Sequence, residues 1–234
     1  MVTSITSVPV ACGVVMLDRP AGRGPAARFE RRRAYRRAVR RVVAGHLDVD
    51  PIDLHVVFDV LGRPLLDERP DVAVAAALHD DVVAVSSAQA AAVGVGIGLD
   101  DQTRRTGPLG PGWAAACEAV LPEVPTWMTA DAVLHALAGA LGRSVVPCPA
   151  DLRLTPDGAG GLLVARRAGG RLGVACSVLH DGSPVAVATP ARRPSMLWQV
   201  RVPAPFRRTP QRLCVVHGDP GSDVDADAQM RSGT

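Results

Sequence analysis

Asp131 and His135 stand four residues apart in WMTADAVLH (127–135). On a helix that spacing sets them one turn apart on one face. A carboxyl group beside an imidazole is equipment for taking a proton next to a carbonyl and for protonating a departing hydroxyl. The same spacing also makes an ordinary surface ion pair, and the residues alone leave both readings open. A second feature is AAVGVGIGLDD (91–101), with Gly94, Gly96 and Gly98 inside an apolar run. A dinucleotide loop would need glycine where Leu99 stands, and a G-x-x-x-x-G-K-[ST] loop is excluded because the chain has no lysine. What remains is a buried strand whose glycines let another backbone come close. A third feature is the run of arginines from Arg28 to Arg41, either a solvated helix face or a surface that docks anions. His46, His55, His180 and His217 sit in no motif and are given no role, and Cys117 and Cys148 are read as structural.

The chain that must position these residues has 234 of them, 47% hydrophobic and 21% charged, with a formal net charge of +3. That is the composition of a globular protein with length enough for a core. The charge is too small to argue for nucleic acid. All 26 basic residues are arginine, the usage of a GC-rich genome of the kind actinobacteria have. Five scattered cysteines without a C-x-x-C pair favour reduced thiols and a cytoplasmic location over a disulfide framework or zinc site. No run suggests a signal peptide or a membrane span.

Valine-rich 8–18 reads as a first strand, and Pro25 suits the first turn of a helix. That helix is expected over 27–44 with Gly45 as its C′ residue. Residues 53–66 read as a strand running into a turn at Gly62-Arg63-Pro64, followed by short strands at 72–78, 81–87 and 92–97. A linker is expected at 103–112, and helices at 113–121 and 129–141, the second capped by Thr129. Three or four strands follow between 151 and 189. The expectation is an α+β protein with halves at 1–106 and 107–205 and a disordered tail over 206–234.

The motifs, in order, resemble those of the 4′-phosphopantetheinyl transferases of the surfactin-synthetase-activating type over about residues 10–190. Those proteins carry a basic N-terminal helix, a G-K-P turn, an S-H-S motif, a G-[VI]-D-[IV]-E strand and W-x-x-K-E-A-x-x-K. Here LGRPLLDERPDV puts Arg63 at the lysine of the turn, and ALHDD keeps His79 but has Leu78 and Asp80 for the serines. GVGIG stands at the acidic strand, and WMTADAVLH matches the last motif as Trp127, Ala130, Asp131, Ala132 and His135. The resemblance implies two pseudo-symmetric α/β halves with a cleft between them, and coenzyme A phosphate contacts at Arg63 and His79 if coenzyme A is still bound.

In that family the two strand carboxylates and the glutamate of K-E-A hold Mg²⁺, a hard ion that wants octahedral oxygen ligands. Gly96 and Gly98 replace the first two, only Asp131 stands for the third, and Ala130 replaces a lysine. The resemblance thus implies an emptied metal site: no metal and no cofactor, the alternative being coenzyme A with Mg²⁺. The expected protein is a monomeric, cytoplasmic, repurposed acid–base enzyme with His79, Asp131 and His135 as catalytic residues. It would dehydrate or cyclise a small molecule, free or held on an acyl or peptidyl carrier protein, in polyketide-type biosynthesis. An active transferase and a non-catalytic protein binding a carrier protein or coenzyme A are the alternatives; nucleic acid and membrane are not expected partners.

Overall fold

A computed structural model describes residues 7–18, 24–98, 109, 111–158, 160–179, 181–190, 193–202 and 215–216. Most of the expected linker, Asp100 and Asp101, and the tail other than 215–216 lie outside the described residues. Strand β1 (Ser7–Met16) alternates two apolar faces. Val8, Val10, Cys12 and Val14 enter one core, while Val15 enters another with Leu17. A strand buried on both faces needs a layer on each side. Helix α1 (Pro25–Leu47) supplies one of them, laying Ala38, Val39, Val42 and Val43 against that second face. The helix does not stop at Gly45. Asp48 takes the left-handed conformation instead, at φ 54°, and its N–H caps the Ala44 carbonyl. A short polar side chain tolerates that conformation, so glycine was not required.

A hairpin, β2 (Val56–Phe58) with β3 (Pro64–Leu66), packs on α1 through Phe58, which meets Tyr35 and lies under the Arg36 guanidinium. The next strands are β4 (Ala73–His79), β5 (Val82–Ala88) and β6 (Gly94–Ile97). Helices α2 (Pro111–Val120) and α3 (Thr126–Ala140) come next. A 3₁₀ turn at Pro149–Asp151 leads into β7 (Leu152–Pro156), β8 (Gly161–Arg166), β9 (Arg171–Val178) and β10 (Pro184–Pro190). Finally β11 (Arg193–Val202) and β12 (Val215–Val216) pair with each other. The fold is thus α+β, and no helix among the described residues is long and apolar enough to cross a membrane.

Two five-stranded sheets result, β12-β11-β1-β5-β4 and β6-β10-β9-β8-β7. The expected division at 106/107 does not separate them. Strand β6, from the first part, closes the second sheet against β10, and β11, from the second part, joins the first sheet parallel to β1. Between the sheets lies a core of β1, β5, β6 and β10 side chains. Helix α1 covers the outer face of the first sheet, and α2 with α3 cover the outer face of the second. The order of layers is therefore helix, sheet, sheet, helix.

One polar pair is built into the α1 layer. His46 falls on the buried stripe, seven residues after Val39, and its Nδ1 is hydrogen-bonded to the hydroxyl of fully buried Ser87. Burial pushes the His46 imidazole below its ordinary value of 6.5. As pH falls through 6.5 the unfolded chain takes up a proton that the folded chain refuses, so stability drops until the folded pKa is passed. His46→Gln should flatten this acid limb, removing up to about 1.4 kcal/mol per pH unit. Urea titrations across a pH series check it; an unchanged acid limb would refute it.

Candidate functional site

Helix α3 lies on β6 and β10, and the three glycines are what let it lie so close. A Cβ on Gly94 would overlap the Ala136 carbonyl, one on Gly96 the Ala132 carbonyl, and one on Gly98 the Met128 carbonyl. The repeat follows from geometry. Two strand residues advance about 6.6 Å and four helix residues about 6 Å, so alternate glycines meet carbonyls one turn apart. From the other side Gly139 comes within 3.0 Å of the Gly94 Cα, counted from its own would-be Cβ. The close-approach reading of GVGIG is therefore the one that the packing supports. With α3 in this position, neither Gly96 nor Gly98 has room for a carboxylate.

The helix begins one turn earlier than expected. Pro125, at φ −52° and ψ 127°, is the N-cap, and its carbonyl accepts from the Met128 and Thr129 N–H groups. Thr129 is not a cap. It is fully buried in the second turn, and its hydroxyl has no hydrogen-bond partner among the described residues.

Asp131 and His135 are brought together as their spacing predicts. Asp131 is only 7% exposed. Its Oδ1 lies 3.3 Å from His135 Nδ1, which is also 2.9 Å from the Asp131 backbone oxygen. A carbonyl oxygen can only accept, so the proton sits on Nδ1 and Nε2 is the basic nitrogen of the neutral ring. The His135 side chain is 41% exposed. Asp131 Oδ2 is buried with no hydrogen-bond partner among the described residues. The result is a carboxylate held inside the helix layer with an oriented imidazole at its rim.

The other expected site residues stand elsewhere. His79 ends β4, the edge strand of the first sheet, and alternation puts its side chain on the side of Ala73, Ala75 and Ala77, toward the second sheet. Its ion-pair partner is Asp80 at 3.6 Å, a turn residue with φ 44°. Arg63 is held by Asp59, its Nε donating at 2.6 Å, while its Nη1 donates at 2.8 Å to Gly142 O beyond the end of α3. The Arg63 backbone N–H, together with its guanidinium and the Leu61 N–H, keeps the Asp59 carboxyl below the usual range. Arg63 thus ties the hairpin to a helix C-terminus, where its charge suits the dipole. The arginines of α1 lie in the opposite outer layer from Asp131. Burial pushes the Cys12 and Cys117 thiols up to about 12, in keeping with a packing role.

No family model matches the chain, and no curated protein matches it in sequence. The site is read from its own geometry.

The glycine contact is directly testable. Gly96→Ala drives a methyl into helix backbone that cannot rotate away, and should cost about 1–3 kcal/mol or more. Gly112→Ala, in α2 with nothing within 4 Å of the added atom, should stabilise by roughly 0.4–1 kcal/mol. Equilibrium urea unfolding measures both. Equal, small effects would mean that the α3–β6 contact is looser than described.

Proposed function

We propose that the chain is a relative of the 4′-phosphopantetheinyl transferases that has lost the metal-dependent transfer and works as an acid–base enzyme, a dehydratase or cyclase, at Asp131 and His135. The observation that carries this reading is a buried carboxylate, with Oδ2 unpartnered among the described residues, orienting a half-exposed histidine. Around that pair the ancestral ligand positions are filled by helix backbone. Among the described residues, the room that Mg²⁺ ligands would need at positions 96 and 98 is taken by helix backbone, so these residues do not fit the ion. Two similar halves are favoured by the pairing pattern. Strand β1 lies beside β5 and β6 beside β10, both antiparallel, and the strand that opens each pair precedes a helix on the outer face.

His135 Nε2 takes a proton from the carbon next to a carbonyl. Asp131 holds the ring and stabilises the imidazolium that forms. The C–H pair becomes the new double bond, the C–O bond to the β-hydroxyl breaks, and the imidazolium returns its proton to the departing hydroxyl as water. This assigns the base to His135 and leaves Asp131 as the orienting group. On this reading His79, whose ion-pair partner among the described residues is Asp80, takes no part. A polyketide-type intermediate, free or carrier-bound, has the required β-hydroxy carbonyl.

The test begins with a deletion strain and its accumulated intermediate. Purified protein should consume that compound without added metal. Asp131→Asn and His135→Ala should each slow consumption about 10²–10⁴-fold with unchanged thermal unfolding, and His79→Ala should stay within several-fold of wild type. With coenzyme A, Mg²⁺ and an apo carrier protein, intact-mass analysis should find no phosphopantetheine arm added. Transfer at a useful rate would overturn the reading. Loss of activity on neutralising the α1 arginines, with Asp131→Asn and His135→Ala unaffected, would replace it with a docking role.

A further inference from the structure

At the far end of α3, Arg143, Arg166 and Arg167 converge with Asp151 on an open cavity of about 280 Å³ floored by Leu141 and Leu152. The backbone beneath each arginine is fixed. Gly142, at φ 62°, ends the helix, and the Arg143 N–H reaches back 2.9 Å to the Ala138 carbonyl. Arg166 is the last residue of β8, paired with Leu152 across the sheet. The Arg167 N–H donates at 2.9 Å to the Asp151 carbonyl, pinning the β8–β9 turn to the 3₁₀ turn. Gly169 and Gly170, at φ 88° and 87°, close that turn.

Among the described residues, none of these three guanidinium groups has a carboxylate within 4.0 Å. Three permanent cations and one carboxylate give the cavity lining a formal charge of +2. The partial negative charge of the helix end is countered by Arg63, which occupies the Gly142 carbonyl. Guanidinium forks match phosphate oxygens in pairs, and a phosphate monoester dianion balances the formal charge. Leu141 and Leu152 in the lining suit a small apolar group on that ester, and the volume lies just below the usual range for small-molecule sites.

We propose that this cavity binds a phosphate monoester carrying a small apolar group. Leu141 is ten residues beyond Asp131, about 15 Å along the helix axis, so the site is separate from the Asp131–His135 pair and does not depend on the reading of that pair.

Phenyl phosphate, inorganic phosphate and benzoate are the probes, titrated into the full chain at low salt. Binding is followed by calorimetry and, for the two phosphates, by ³¹P chemical shift. Phenyl phosphate should bind saturably at one site, more tightly than either of the others. Arg143→Gln, Arg166→Gln and Arg167→Gln should each weaken it about 10–100-fold, while His135→Ala leaves it unchanged. Absence of saturable phosphate binding to the wild-type chain would overturn the proposal without recourse to any variant. Binding that the arginine variants leave intact, or benzoate binding as tightly as phenyl phosphate, would also overturn it.

Discussion

The contact of α3 with β6, backbone against backbone, is the constraint on which the second half of the molecule rests. Three glycines on one face of a strand cost roughly 1.5–3 kcal/mol of chain entropy at about 0.5–1 kcal/mol each. In exchange the helix lies flat on the sheet, each glycine Cα–H directed at a carbonyl one turn from the next, a weak but repeated attraction. That closeness lets Leu134, Leu137 and Val133 pack with no exposure against the leucines and valines of β7–β9 and the alanines of β10. It also sets where the chemistry can be. The His135 Cβ is among the atoms nearest to the Gly96 position, so the same contact that seats the helix fixes the root of the imidazole. Asp131, one turn back, is drawn into the helix layer.

The exchanged strands act in the same direction. Because β6 belongs to the second sheet and β11 to the first, neither sheet is complete without residues from the other part of the chain. The inter-sheet core is made of small side chains, Ala73, Ala75 and Ala77 among them, which keeps the sheets close. The four layers put the arginine face of α1 and the Asp131–His135 pair on opposite sides of two sheets. A partner docked on the arginines could present substrate to Asp131 only by reaching around the sheets.

Local features were legible in the sequence where local physics decides them. Valine-rich runs located β1 and β5, and the i, i+4 spacing located Asp131 against His135. Boundaries were misread where two residues competed for one role. Thr129 has the chemistry of a cap, but Pro125 already ends the preceding segment and lets Met128 dock in the core. Gly45 has the freedom for a helix end, but the buried stripe continues to His46, and Asp48 closes the helix. Sheet membership of β6 and β11 was not legible, because pairing across nearly the whole chain leaves no local mark. Nor was the convergence of Arg143 with Arg166 and Arg167, which lie on different elements. His46 could have been found, since it falls on the same helical stripe as Val39 and Val42.

The glycines were noticed at once, yet their meaning depends on which partner comes near. A strand that loses two carboxylates can stay open, leaving an empty cleft, or it can be covered. Here the strand is covered by α3. Mg²⁺ needs oxygen ligands at about 2.0–2.1 Å in near-octahedral order, which requires side-chain depth between strand and helix. With the Ala132 and Met128 carbonyls already against Gly96 and Gly98, that depth does not exist. Carboxylates at positions 96 and 98 would force α3 off the sheet and open the core of Leu134 and Leu137 to water. On the proposed reading, the route back to metal chemistry is closed by packing as well as by missing charge. What the helix itself carries is one carboxylate, Asp131, and among the described residues its side-chain partner is His135, one turn along the same helix.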